Sequence, residues 1–490
     1  MNVVTRVAKN SFVTIAAKII CLVTSLLTLA LVARYLDTTL FGEYVFVMAF
    51  VMVFEVFTDL GYNATLVREM VRAKDQLDKI LGTAVVSKCL LGLFTFLLMV
   101  VSVNLLGLWV EIAAEVKTAV YVLGFAACSD FFVDITVSTA RAHEKMEYEA
   151  LLLAFNGVTS LLFIAVVTWL DLGFVNLFSA RFCSIGMTLV LSLIIFKRQF
   201  GTPRASVHKG IKHLARKALP FGMGQVIERF YTRTNFFLVR IIHSATEVGL
   251  YGGAYRVMEQ SALVSTSIVG AVFPIFSVLS ESSRSSLALA YEKTLKLLVI
   301  ISLPAVVVIG GLSKPITLLV FGSNLIDIHA PLRVLSFGIF LGFSNVLFKF
   351  TFNAMNRQVE YRRNMLIAFS INLLLALFLI PPWGHMGACV AYLASSTLFF
   401  LLGHLGITKR LPGVSFSSVM VKPLAASLLM MLVVMLMKNT PLLLVVPCAM
   451  LTYVAGLIVL GTFGAEELNM LRKAVMPTHG EAQEEGVRHA

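Results

Sequence analysis

The stretch Phe12–Val32, FVTIAAKIICLVTSLLTLALV, carries a single formal charge, Lys18. A helix needs about 20 apolar residues to cross a bilayer's hydrocarbon core, and this run has that length. It is too long for the apolar region of a cleaved signal, and no small-residue cleavage site follows it, so it reads as a first membrane span. The remainder of the 490 residues continues the pattern, with 58% hydrophobic residues, 14% charged and a mean hydropathy of +0.88. A soluble domain carries about 25% charge. A chain this apolar has too little polar surface for water, and the expected fold is an all-α polytopic membrane protein.

Beyond that run, apolar segments suggest about fourteen transmembrane helices, at 11–33, 41–60, 80–106, 117–138, 150–170, 174–196, 218–241, 250–279, 295–312, 332–355, 365–380, 388–405, 424–437 and 442–461. The eleventh and thirteenth are short. Lys and Arg fall unevenly on alternate loops: 27 on one side, among them the seven cations between Lys197 and Lys217, against 5 on the other. The positive-inside rule then places both termini in the cytoplasm. It also disposes of nucleic acid as the reason for the net charge of +13. The segment Ser313–Pro331 on the opposite side is partly apolar and reads as dipping back into the membrane. The six cysteines lie in apolar runs without metal spacing and read as buried thiols.

An internal repeat is present. Phe41-Gly42-Glu43-Tyr44 is matched by Val248-Gly249-Leu250-Tyr251, and Leu172-Gly173 by Met386-Gly387, at offsets near 210 residues. The expected organisation is an N-terminal six-helix lobe (1–196), a basic cytoplasmic linker (197–217), a C-terminal six-helix lobe (218–405), two additional helices (406–461) and a cytoplasmic tail (462–490). Repeats of equal orientation leave a substrate site between the lobes, near the midplane.

Charges within apolar spans are costly and mark the place to look for function. Arg229, Arg233 and Arg240 share one face of the seventh span, at i, i+4 and i+11. The stripe either lines an aqueous cavity that takes an anion or meets acids from other helices, Arg229 with Glu55 or Asp130 for example. Arginine suits the first role because its fork of donors pairs with phosphate oxygens. Arg181 and Arg256 are further candidates. Lys18, Lys88 and Lys349 either line the cavity or snorkel to the interface. Two acidic pairs at i, i+4 spacing, Glu55/Asp59 and Asp130/Asp134, together with Glu228 and Glu259, read as counter-ions or as carboxylates coupled to H+ or Na+. Pro304 and the Gly222/Gly224 pair read as hinges or packing positions. A Walker loop and catalytic or metal clusters are missing from the sequence, so neither ATP hydrolysis nor a cofactor is expected.

The order Ala33-Arg34-Tyr35-Leu36, Phe41-Gly42-Glu43-Tyr44, Asp59-Leu60-Gly61, Leu66-Val67-Arg68-Glu69, Ala218-Leu219-Pro220-Phe221, Ala254-Tyr255-Arg256 and Gly387-Ala388 resembles polysaccharide flippases of the Wzx type, in the multidrug/oligosaccharidyl-lipid/polysaccharide exporter superfamily. The resemblance spans residues 5 to 460. It implies two six-helix lobes around a cavity that alternates between the two faces of a bacterial inner membrane. The implied substrate is an undecaprenyl-diphosphate-linked oligosaccharide for O-antigen, capsule or exopolysaccharide, with glycosyltransferases and a polymerase as pathway partners. The alternatives are a lipid II flippase, an ion-coupled drug exporter, for which an acidic lumen is expected, and a membrane polymerase or ligase, against which the short loops argue.

Overall fold

A computed structural model describes residues 3–72, 77–201, 211–411, 413–414, 416–438 and 440–462. Residues 463–490 of the expected tail, residues 202–210 of the basic linker and Lys74 lie outside the described residues. Among these there are eighteen α-helices and no strands. The first six spans are α1 (Val3–Tyr35), α2 with α3 (Thr38–Asp59, Tyr62–Arg72), α4 (Leu77–Leu106), α5 with α6 (Ala114–Ser129, Phe131–Ala142), α7 (Met146–Trp169) and α8 (Phe174–Gln199). Then come α9 (Ile211–Ile242), α10 with α11 (Ala245–Gln260, Ala262–Ser282), α12 (Arg284–Gly311), α13 (Ser313–Phe321), α14 (His329–Leu335), α15 (Phe337–Ala354), α16 (Gln358–Thr408), α17 (Phe416–Leu436) and α18 (Leu442–Val459).

Twelve of the described helical segments are long and apolar enough to cross a membrane. Two more spans bring the number to the expected fourteen. The first is α9, whose charges dilute its apolar content. The second comes from α16, whose 51 residues would extend about 75 Å if straight, far beyond a hydrocarbon core of about 30 Å. It turns back at Gly384 (φ 52°, ψ −133°), so that a Cβ on Gly387 would lie 2.1 Å from the Leu379 carbonyl oxygen.

Two expected spans are broken midway, 117–138 at Asp130 and 250–279 at Ser261, while a further break, at Leu60, which adopts a left-handed conformation before Gly61 (φ 84°), falls where the expected 41–60 span ends. The expected hinges behave otherwise. Pro304 lies inside the unbroken α12, and Gly222 is a packing position, where a Cβ would stand 2.3 Å from the Leu60 carbonyl oxygen. Ser313–Pro331 folds into α13 and a short 3-10 turn, with Phe321, Leu325 and Ile328 buried. The cysteine expectation is corrected: Cys128 and Cys389 are buried, Cys21 is half-buried, and Cys89, Cys183 and Cys448 are exposed on helix faces.

The two copies of the repeat meet. Asp37 caps α2 by accepting the Leu40 amide, and Ser244 caps α10 by accepting that of Glu247. Thr39 and Thr246, 207 residues apart, hold their hydroxyls 3.3 Å from each other. A Cβ on Gly42 would lie 1.8 Å from the Ala245 carbonyl oxygen, and one on Gly249 would lie 3.0 Å from Gly42 Cα. Only small residues let two backbones approach this closely. Helix α2 is buried from Phe41 through Val51, as an element apolar on all sides should be. At the basic-loop end a second glycine seam joins Gly61 to Ala218 and Gly222. There Lys217 pairs with Glu69 at 2.9 Å, and Arg68 stacks over Phe221 at 4.6 Å. Between these seams lies the polar interior.

Candidate functional site

Two cavities lie along α2 and α10. One of about 210 Å³ faces Tyr44 and Met48 of α2 and Arg256 and Gln260 of α10. The other, about 400 Å³, begins near Glu55 of α2 and Glu259 of α10. Met48 and Glu55 are separated by seven residues, about 10 Å along a helix.

The smaller cavity holds two guanidinium groups, Arg181 from α8 and Arg256 from α10. Its wall adds hydroxyl and amide groups, Thr24, Ser25 and Thr28 from α1 and Asn156 and Ser160 from α7, beside the apolar Leu29, Met48 and Leu153. Arg181 makes one long contact, 3.5 Å, to the Ser160 hydroxyl. Arg256 has Glu259 as a distant partner at 3.7 Å. Both keep donors free for an anion, and their neighbours offer the single-site hydrogen bonds that sugar hydroxyls take. The sequence reading named the arginines and missed the hydroxyls. Thr24 and Thr28 at i, i+4 inside a span were the available signal.

The larger cavity differs in sign. Six carboxylates reach its wall, from Glu55, Asp59, Asp130, Asp134, Glu228 and Glu259, against one cation, Arg229. Behind the wall Lys88 is wholly buried, bonded to Asn63 Oδ1 at 2.6 Å and Asp134 Oδ2 at 2.8 Å, with Asp59 at 3.3 Å. Neither reading made for Lys88 holds: it reaches no interface and lines no wall, because two aspartates on separate helices enclose it. Lys349 is likewise paired, with Glu228 at 2.7 Å.

The arginine stripe is divided. Arg233 is 2% exposed, bonded to Glu259, and lies beneath the rings of Phe236 and Tyr255 at 5.5 and 5.4 Å. Arg240 donates to Glu43 Oε1 at 2.7 Å and to the Glu111 carbonyl at 3.0 Å. Neither lines either cavity; their long side chains meet Glu43 on α2 and Glu259 on α10, and of the stripe only Arg229 reaches open space. The specific pairing of Arg229 with Glu55 or Asp130 is absent among the described residues, and Lys18 also has no ion pair within 4 Å there. Glu55 and Asp130 are therefore carboxylates without an ion-pair partner among the described residues. Asp130 Oδ1 is buried and accepts no hydrogen bond. The lumen expected to be basic has an acidic compartment adjoining a basic one.

A family model described as polysaccharide biosynthesis protein matches residues 7–280, more than half of the chain. The chain belongs to that family. The same fold is found in a lipid II flippase, MurJ, in an inward closed conformation, at TM-score 0.75 and 17% identity over 93% of this chain and 98% of the other. A multidrug resistance MATE transporter of the MOP superfamily, inward-facing, aligns at TM-score 0.68 and 14% identity over 83% of this chain and all of the other. A MOP transporter from Pyrococcus furiosus, described as having a binding pocket of reverse polarity, aligns at 0.62 and 15% identity, over 83% and 96%. No curated protein matches the sequence. This polysaccharide biosynthesis family member is thus a multi-pass membrane protein with the transporter fold of the MOP superfamily.

Proposed function

We propose that the chain flips an undecaprenyl-diphosphate-linked oligosaccharide from the cytoplasmic to the periplasmic leaflet of a bacterial inner membrane, for O-antigen, capsule or exopolysaccharide assembly, with both termini cytoplasmic. The observation that carries this reading is the pair Arg181 and Arg256, facing a cavity that presents hydroxyls and amides and lies between two glycine seams along α2. Guanidinium donors hold a diphosphate through charge-assisted bonds, the hydroxyl wall takes the adjoining sugar, and the prenyl tail stays among the acyl chains. Alternate opening of the two seams moves the headgroup across. Two six-helix lobes (1–196 and 218–405) rocking about the site, with 406–461 appended, supply that motion. Glu55 and Asp130, lacking ion-pair partners among the described residues, are the groups best placed to couple it to H+ or Na+. Glycosyltransferases and a polymerase of the same pathway supply and consume the substrate; no cofactor is required.

Deleting the gene should accumulate a cytoplasm-facing sugar-diphosphate-lipid, and Arg181→Ala with Arg256→Ala should reproduce the accumulation with the protein present in the membrane. Normal polymer in the double variant would refute the assignment. A second reading, export of cations, is favoured by the carboxylate wall of the larger cavity. Efflux of cationic dyes from cells expressing the chain would support it, and flat dye retention would remove it.

A further inference from the structure

We infer that this chain selects lipid-linked oligosaccharides whose sugars are neutral or carry amino groups, and discriminates against repeat units bearing carboxylate sugars. The inference rests on the flippase reading and assigns the selection to the acid-walled cavity.

The two cavities are neighbours. Arg256 lines the smaller and Glu259 the larger, and the two side chains are 3.7 Å apart on the same turn of α10. A diphosphate held by Arg181 and Arg256, with the adjoining sugar on the hydroxyl wall, therefore directs the sugars beyond it toward the larger space. At about 400 Å³ that space falls within the range of about 300–1,000 Å³ occupied by small-molecule sites.

Its chemistry suits hydroxyl and ammonium groups. Carboxylates accept from both, and Gln225, Asn63 and Thr232 add neutral donors and acceptors at the wall. The charge balance is against a second anion. Lys88 serves both Asp59 and Asp134, while Lys349 and Arg233 are taken by Glu228 and Glu259. Glu55 and Asp130 are left facing the ligand with Arg229 as the one cation on the wall. A sugar carboxylate about 8 Å from one uncompensated carboxylate, at the effective dielectric of a partly wet interior, is disfavoured by about 30-fold. Arg229 balances the other carboxylate, so the expected discrimination runs from about 30-fold at about 8 Å to about 10-fold at about 12 Å. Arg181 and Arg256 do not reverse it, because the diphosphate occupies them.

The test uses the full chain in liposomes with two undecaprenyl-diphosphate disaccharides of equal length, one ending in a hexose and the other in a hexuronic acid. The expected result is flipping of the hexose probe at least about 10-fold faster, and an equimolar acidic probe should lower the hexose rate in competition by no more than about a tenth. In Glu55→Gln/Asp130→Asn, whose residues are also assigned to coupling, the readout is the ratio of the two probes' binding affinities for the purified chain, which needs no turnover, and it should fall to within about 3-fold. Equal rates in the native chain, a faster acidic probe, or a ratio unchanged in the double variant each overturn the inference while leaving the flippase reading standing. Failure of both probes to move would remove that reading and this inference together.

Discussion

Gly42→Ala is the substitution whose effect follows most directly from distance. The added Cβ would sit 1.8 Å from the Ala245 carbonyl oxygen and 2.4 Å from its carbon, where nonbonded atoms need about 3.5 Å. The shortfall of about 1.7 Å falls on backbone, so no rotamer change relieves it and α2 must part from α10. Overpacking a close seam costs about 1–3 kcal/mol, which shifts a two-state equilibrium about 5- to 150-fold. The shift favours the state with this seam open. Better helix propensity of Ala, about 1 kcal/mol, acts in both states and cancels. Gly270→Ala is the control, since nothing lies within 4 Å of its Cβ. The assay places a Val45→Cys reporter, at 4% exposure, in a background lacking the six native cysteines. Intact cells are then labelled with a membrane-impermeant maleimide. Gly42→Ala should raise labelling at least about 5-fold and slow polymer export, with Gly270→Ala matching the parent. Unchanged labelling with normal export would show that the seam does not gate the interior.

Arg233→Ala leaves Glu259 with only the more distant Arg256. Loss of a buried pair costs about 3–5 kcal/mol, so thermal unfolding of the purified protein should occur at lower temperature, and Arg233→Met/Glu259→Leu should recover most of the loss. Arg229→Ala should instead leave the unfolding temperature within error and lower transport, since its side chain faces the cavity without an ion pair among the described residues; a fall in stability equal to that of Arg233→Ala would contradict this division. Lys88→Met strips the shared cation from Asp59 and Asp134. Fluorescence-detected size exclusion should show little folded protein, and adding Asp59→Asn and Asp134→Asn should restore it.

Sequence alone determined that the chain is a bundle of about fourteen spans, because the bilayer requires each crossing helix to be long, apolar and internally hydrogen-bonded. That demand is written residue by residue. The repeat motif at Gly42 and Gly249 was legible too, though not that its two copies touch. Sequence also singled out Arg181, Arg256, Glu55 and Asp130 as charges out of place. Which charges cancel was not legible. Arg229 and Arg233 stand one turn apart with the same local pattern, yet one faces open space and the other is buried against a glutamate of α10. Lys88 looked able to reach the interface until Asp59 and Asp134 were brought around it from two other spans. A charge's role in low dielectric is set by what lies within a few ångströms, and those neighbours come from helices far apart in sequence. Tertiary packing therefore decided the sign of each compartment and placed an acidic wall beside the two arginines.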